Sequence, residues 1–303
     1  MSGEVSQNLR LYKVSQLTKI ADAIRAKLET SDTYTIDEMA EVIADIPSGG
    51  ADLLLMLENN TSANRVTLTD DTVKSEALSI RKNTFRECYI DTVNWSKIED
   101  IGAYAFYDSK IYSLSFPNCK TIGDYAFYHM NYYEGSILTQ FNFPKVESIG
   151  STAFEDARIN TGVLNFPECK IVKSYGLASL PSVTTFNFPK CETFEEGAFN
   201  FTNITIDITL PKVKTIAFKA FRHFRGTNFT IGPDCTSIAA GMLDYNGKIT
   251  NLYVQATTPP TLGGSFGGDG VSHIYVPAES VSAYKAASNW SNYSSIIEAI
   301  PSA

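Results

Sequence analysis

Short runs in which large apolar and small polar side chains alternate recur along the chain. They include Ser113-Leu114-Ser115-Phe116, Gln140-Phe141-Asn142-Phe143, Thr185-Phe186-Asn187-Phe188 and Asp207-Ile208-Thr209-Leu210. A period of two marks a strand with one face buried and the other in water. A proline (Pro117, Pro144, Pro189, Pro211) follows each run and ends it, having no amide hydrogen for a ladder and a fixed φ. A second pattern comes next, Ile-Gly-x-x-Ala-Phe, as in Ile122-Gly123 to Ala126-Phe127 and Ile149-Gly150 to Ala153-Phe154. It predicts a turn or short helix that brings the chain around the far side, with Ile and Phe directed inward and Ala where the turn crowds its neighbour.

The two patterns alternate as a repeat of eight units. Their openings fall at 74, 95, 116, 143, 166, 188, 210 and 231, at intervals of 21, 21, 27, 23, 22, 22 and 21 residues. That period lies within the range of about 20 to 29 residues of leucine-rich repeats, in which no unit covers its apolar face alone and stacking supplies the core. The fold class expected is a leucine-rich-repeat solenoid, with a parallel β-sheet on one face, turns or short helices on the other, and a small helical hairpin in front. Cys119, Cys169 and Cys191 hold the fourth position of their units, where others carry Ile98, Val146 and Val213, and Cys235 holds the same column in the unit opening at Ile231, which has one extra residue. They read as a ladder of buried thiols, with a disulfide between neighbours such as Cys169 and Cys191 as the alternative.

The ends differ from the repeats. Leu17, Ile20, Ala21, Ile24 and Leu28 follow helical spacing, and Thr35-Ile36-Asp37-Glu38 is a capping box opening a second helix with Met39, Ala40 and Ile43. The apolar stripes of this hairpin need a partner. Either they dock within the chain, or Leu17, Ile20, Ile24, Leu28, Met39 and Ile43 serve attachment or oligomerisation. His273-Ile274-Tyr275-Val276-Pro277 reads as a last strand, followed by a helical stretch from Glu279 to Ala287 and apolar cover from Trp290, Tyr293, Ile296, Ile297 and Ile300. The organisation expected is hairpin 1–47, linker and N-terminal cap 48–73, solenoid 74–255 and C-terminal cap 256–303.

With strands ending in Pro and Ile-Gly-x-x-Ala-Phe turns, residues 74–300 resemble the BspA-like, Treponema-type leucine-rich repeats. The tail, with Ala256-Thr257-Thr258-Pro259-Pro260 and Ile274 to Lys285, is similar to the closing segment of such proteins in gut bacteria. Lys173 and Ala217 in place of Gly, Leu177 in place of Phe, and the 27-residue unit depart from the pattern. The N-terminal hairpin, through Leu17 to Arg25 and Met39 to Ile43, resembles segments that begin phage and prophage tail-associated proteins of Gram-positive hosts. These resemblances imply a host-recognition or adhesion subunit of a phage or prophage particle, joined through the hairpin to other particle subunits and forming a homo-oligomer such as a trimer. A bacterial cell-surface adhesin and a spacer without ligand are the alternatives.

Composition narrows the partner. A net charge of −8 and a pI near 5.0 repel phosphate backbones, so nucleic acid is not expected. The polar start, Met1 to Asn8, lacks the apolar stretch of a signal peptide, and the run Leu53 to Leu57 is too short to insert in a membrane. Synthesis in the cytoplasm and release with a particle is the expectation, with the cell surface as the alternative.

Catalysis has little to use. The three histidines, His129, His223 and His273, fall in different units without metal-ligand spacing, and the glycine-rich stretch 263–270 lacks the ending of a phosphate loop, reading instead as a flexible connection to the cap. No enzyme, metal or cofactor is expected. Two surfaces could hold a host-surface glycan or protein. One is the outward strand ladder of Ser113, Ser115, Gln140, Asn142, Asn165, Thr185, Asn187, Asp207, Thr209, Asn228 and Thr230. The other is the extra length of the longest unit, with Tyr128, His129, Asn131, Tyr132 and Tyr133, whose side chains suit recognition.

Overall fold

The computed structural model describes residues 57, 60–73, 78–132, 138–245, 249–268 and 270–301. Each repeat is one coil of a right-through stack, built from a strand, a tight corner at the proline, a second strand and a wide turn. The apolar positions of the alternating runs face inward, so Leu114, Leu164, Ile208 and Phe229 are all buried. The strands stack in parallel and nearly in register, with Ser113 opposite Gln140 and Ile208 opposite Phe229.

This first sheet is interrupted. One block runs from Val66–Thr69 to Gln140–Asn142, a pair joins Val163–Asn165 to Thr185–Asn187, and the last block runs from Ile208–Leu210 to Ile297–Ala299. The sheet therefore begins within the stretch assigned to the N-terminal cap and continues into the stretch assigned to the C-terminal one.

On the far side the expected turn or short helix is a turn, preceded by a strand. The Ile of each Ile-Gly motif belongs to a second parallel sheet of nine two-residue strands, unbroken from Ser79–Ile80 to Thr261–Leu262. Two residues are too few to show a period, which is why the sequence pattern gives no sign of this sheet. Among the described residues, helix is confined to the ends, as in Asp70–Val73 and Val281–Ala286.

The interior is one aromatic column beside another. Phe116, Phe143, Phe166 and Phe188 stand in a buried row with ring centroids 5.7, 6.1 and 5.4 Å apart. Phe85, Phe106, Phe127 and Phe154, from the turns, stack at 5.1, 5.0 and 4.8 Å. All five cysteines are buried, and none is joined in a disulfide. In the four-rung ladder each thiol donates to a carbonyl two residues on, as Cys119 Sγ does to Thr121 O at 3.2 Å. Burial pushes the thiol of Cys119 up to about 12 and that of Cys235 to about 11, and burial beside Cys169 raises Cys191 as well.

At the C-terminal end Trp290 is fully buried, its Nε1 donating to Pro260 O at 2.8 Å, while Tyr284 donates to Ala256 O at 2.8 Å. The glycine-rich stretch is not a loose connection. It supplies the wide turn of a last coil, in which Phe266 is buried against Trp290 and accepts at its carbonyl from the amide of Leu243.

Candidate functional site

The wide turn decides which side chains face outward. In each of the eight units, the residues two before and two after the large apolar residue of the turn have positive φ. The first set is Asn83, Tyr104, Tyr125, Thr152, Tyr175, Gly197, Lys219 and Gly241; the second is Glu87, Asp108, His129, Asp156, Ser179, Phe201, His223 and Tyr245. Backbone bonding explains the regularity. Amides of alternate residues (Tyr104, Phe106, Asp108) donate to carbonyls of the next coil (Asp124, Ala126, Tyr128), while those between donate back to the carbonyl three residues earlier within their own turn. The turn is thus a third hydrogen-bonded side of the solenoid, and Ala105, Ala126, Ala153, Ala198 and Ala220 sit buried inside it.

The outward side chains of these turns form a ridge. In the first coils it is a run of rings. Tyr104 stacks on Tyr125 at 4.8 Å, Tyr107 on Tyr128 at 5.1 Å, Tyr128 on His129 at 3.9 Å and His129 on Tyr132 at 4.7 Å. A guanidinium closes each end of the longer row, Arg86 at 4.5 Å from the Tyr107 ring and Arg158 at 4.9 Å from that of Tyr132. His129 Nε2 also lies 3.5 Å from Asp156 Oδ2. Burial and the neighbouring carboxylates of Glu155 and Asp156 push the hydroxyl of Tyr128 above its ordinary value.

The structure therefore brings Tyr128, His129 and Tyr132 together and adds Tyr104, Tyr107 and Tyr125, which the search for an insertion missed because they occupy regular repeat positions. The signal was the aromatic recurring three apart within two successive turns. Asn131 is a correction. It is fully buried, its Oδ1 accepting from Ile111 N and its Nδ2 donating to Ile111 O, both at 2.7 Å, so it completes the backbone pairing of the first sheet and lies out of reach of a ligand. Tyr133 lies outside the described residues, as do Leu17, Ile20, Ile24, Leu28, Met39 and Ile43.

The strand ladder lies on a different part of the coil and is largely paired along itself. Asn142 Nδ2 donates to Ser115 Oγ at 3.2 Å, Asn187 Nδ2 to Asn165 Oδ1 at 2.9 Å and Asn251 Nδ2 to Asn228 Oδ1 at 2.7 Å. Ser115, expected outward, is buried. Asn165 and Asn187 are exposed but share one another's amides, which leaves them fewer groups for a partner. At the proline corner, Lys120 with Glu99, Lys170 with Glu147 and Lys214 with Glu192 pair between coils at 2.6 to 2.7 Å, all well exposed.

Among the described residues there is no group of three or more His, Cys, Asp or Glu that could hold a metal ion, and no helix long and apolar enough to cross a membrane. Stacked coils, two parallel sheets and an outward ridge define a leucine-rich-repeat solenoid. The chain belongs to the BspA-type leucine-rich repeat family: the profile of the BspA type leucine rich repeat region matches in six copies, over residues 56–175, 130–250 and 170–288. No curated protein matches it. Among solved structures it is similar to a leucine-rich repeat protein from Bacteroides ovatus, at 17% identity and a TM-score of 0.44, over 66% of this chain and 59% of that one. This chain thus spans less than two thirds of the length of that protein.

Proposed function

We propose that this chain is a non-enzymatic recognition protein whose solenoid holds a host-surface glycan against the tyrosine ridge of its first coils. The observation that carries this reading is the row Tyr107, Tyr128, His129 and Tyr132, flat rings held at the surface, outside the core, with a guanidinium at each end. Aromatic faces pack against the apolar C–H faces of sugar rings, and hydroxyl and guanidinium groups supply hydrogen bonds at the rim. In this proposal the host-recognition subunit of a phage or prophage particle is the setting, with the segment containing Leu17 to Ile43 joining it to other subunits or to further copies of itself. A cell-surface adhesin is the second reading, favoured by membership of the BspA-type family.

Binding to a neutral glycan panel and to intact host cell walls tests the ridge. Tyr132→Ala, at a residue 37% exposed, is expected to weaken retention by at least about tenfold without moving the unfolding midpoint. Retention unchanged by this substitution and by Tyr128→Ala removes the ridge from the function. Light scattering on the full chain tests assembly, and a monomeric mass at micromolar concentration counts against the oligomer.

A further inference from the structure

The later coils carry a second outward cluster of a different character. Phe201, His223 and Tyr245 take the same left-handed position in three successive turns, and their rings form a column with Phe201 to His223 at 4.5 Å and His223 to Tyr245 at 6.0 Å. Arg222 lies between the two outer rings, its guanidinium carbon 4.5 Å from the Phe201 centroid and 4.1 Å from that of Tyr245. Phe201 and Tyr245 are 51% and 66% exposed, which is a large apolar surface to leave in water without a role. Phe218, also exposed, stands in the same turn as Arg222, with Lys219 Nζ at 4.5 Å from its ring.

Charge sets this cluster apart from the tyrosine ridge. Lys219, Arg222 and Arg225 fall within seven residues of a chain whose net charge is −8, and none of the three has an ion-pair partner among the described residues. Asp244 is the carboxylate in the electrostatic surroundings of His223, whose ring burial and the charges of Arg222 and Arg225 keep below its ordinary pKa. Arg222 makes one long contact, Nη1 to Asn200 Oδ1 at 3.4 Å; its Nε is buried without a partner, so the donors left for a ligand are those of the half-exposed Nη end of the guanidinium. In the tyrosine ridge, by contrast, Glu87 pairs with Arg86 and Asp108 with Lys110, and Glu155 and Asp156 lie in the electrostatic surroundings of Tyr128.

We propose that the Arg222 turn is a second carbohydrate site, selective for a sugar unit that carries a negative charge. An exposed ring on each side of a guanidinium offers apolar faces for the sugar and a planar donor fork for a carboxylate or a phosphodiester, which Arg recognises by paired hydrogen bonds. The proposal rests on the reading of the turn ridge as a glycan-binding face, but on coils that the tyrosine row does not include.

The test measures binding of the full chain to polygalacturonate, to a phosphodiester-bearing mannan and to a neutral galactan. One or both acidic polymers are expected to bind at least about tenfold more tightly than the neutral one, and less tightly as salt is raised. Retention of the uronate alone identifies a carboxylate as the ligand group, and retention of the phosphate polymer alone identifies a phosphodiester. Arg222→Ala and Tyr245→Ser are each expected to lose most of this binding. Tyr245→Ser changes an exposed ring and should leave the unfolding midpoint in place. Tyr132→Ala should leave acidic-polymer binding intact, so failure of this site and failure of the tyrosine ridge give different results. Equal affinity for the neutral polymer, or acidic binding that survives Arg222→Ala, overturns the proposal.

Discussion

At fourteen turn positions a side chain other than glycine's is held at positive φ, at a cost of about 1–2 kcal/mol each for an L-residue. Thr152 is the least suited of these, because it is β-branched at φ 56°. Thr152→Asn, which visits this region more readily, is expected to raise stability by about 1 kcal/mol, read as a shift in the denaturant midpoint. Asn131 pulls the other way. Its loss in Asn131→Ala leaves the amide and carbonyl of Ile111 buried without partners and should cost about 2–5 kcal/mol in the same assay. Nothing in the sequence separates Asn131 from its exposed neighbours, since a polar residue in an insertion reads as surface until the strand it completes is known. The cysteines were legible, because their column is shared with Ile98, Val146 and Val213. With the thiols of Cys119 and Cys235 raised to about 12 and about 11, Ellman's reagent at pH 8 should find them unreactive in the folded protein and fully reactive in denaturant.

The coil as an element was half written in the pattern. Period-two runs and their prolines gave the first sheet; the second sheet and the alternating bonds of the turn leave no periodic trace, since two-residue strands are too short and, apart from Asn83, Gly197 and Gly241, the left-handed positions carry residues such as Tyr, Lys, Asp or Ser where Gly or Asn would signal them. The glycine of the Ile-Gly motif has a direct cause. A β-carbon on Gly150 would sit 2.5 Å from the carbonyl carbon of Gly123, and on Gly123 2.6 Å from the amide nitrogen of Ala103. Gly150→Ala is therefore expected to destabilise the protein by about 1–3 kcal/mol by forcing two coils apart, seen as a lower melting temperature. Later coils carry Lys173, Glu195, Ala217 and Ala239 at this position and accommodate a β-carbon there.

For the whole molecule, stability is a sum of coil-to-coil contacts, and a defect acts where it lies. Phe143→Ala removes a ring that touches Phe116, Phe127, Phe154 and Phe166 and should cost about 3–5 kcal/mol. Hydrogen exchange should then show protection lost on both sides of residue 143, whereas Trp290→Ala should loosen the C-terminal coils alone; identical exchange maps for the two variants would contradict a one-dimensional stack. The left-handed positions have a wider consequence at this scale. Apart from the buried Thr152, their side chains are at least partly exposed, and across the eight coils these positions hold aromatic, acidic, basic, hydroxyl and glycine residues. Exchanging one for another alters what the outer rail displays while the packed interior goes untouched. Such a scaffold can diversify the surface it displays through single codon changes without first having to evolve a new fold.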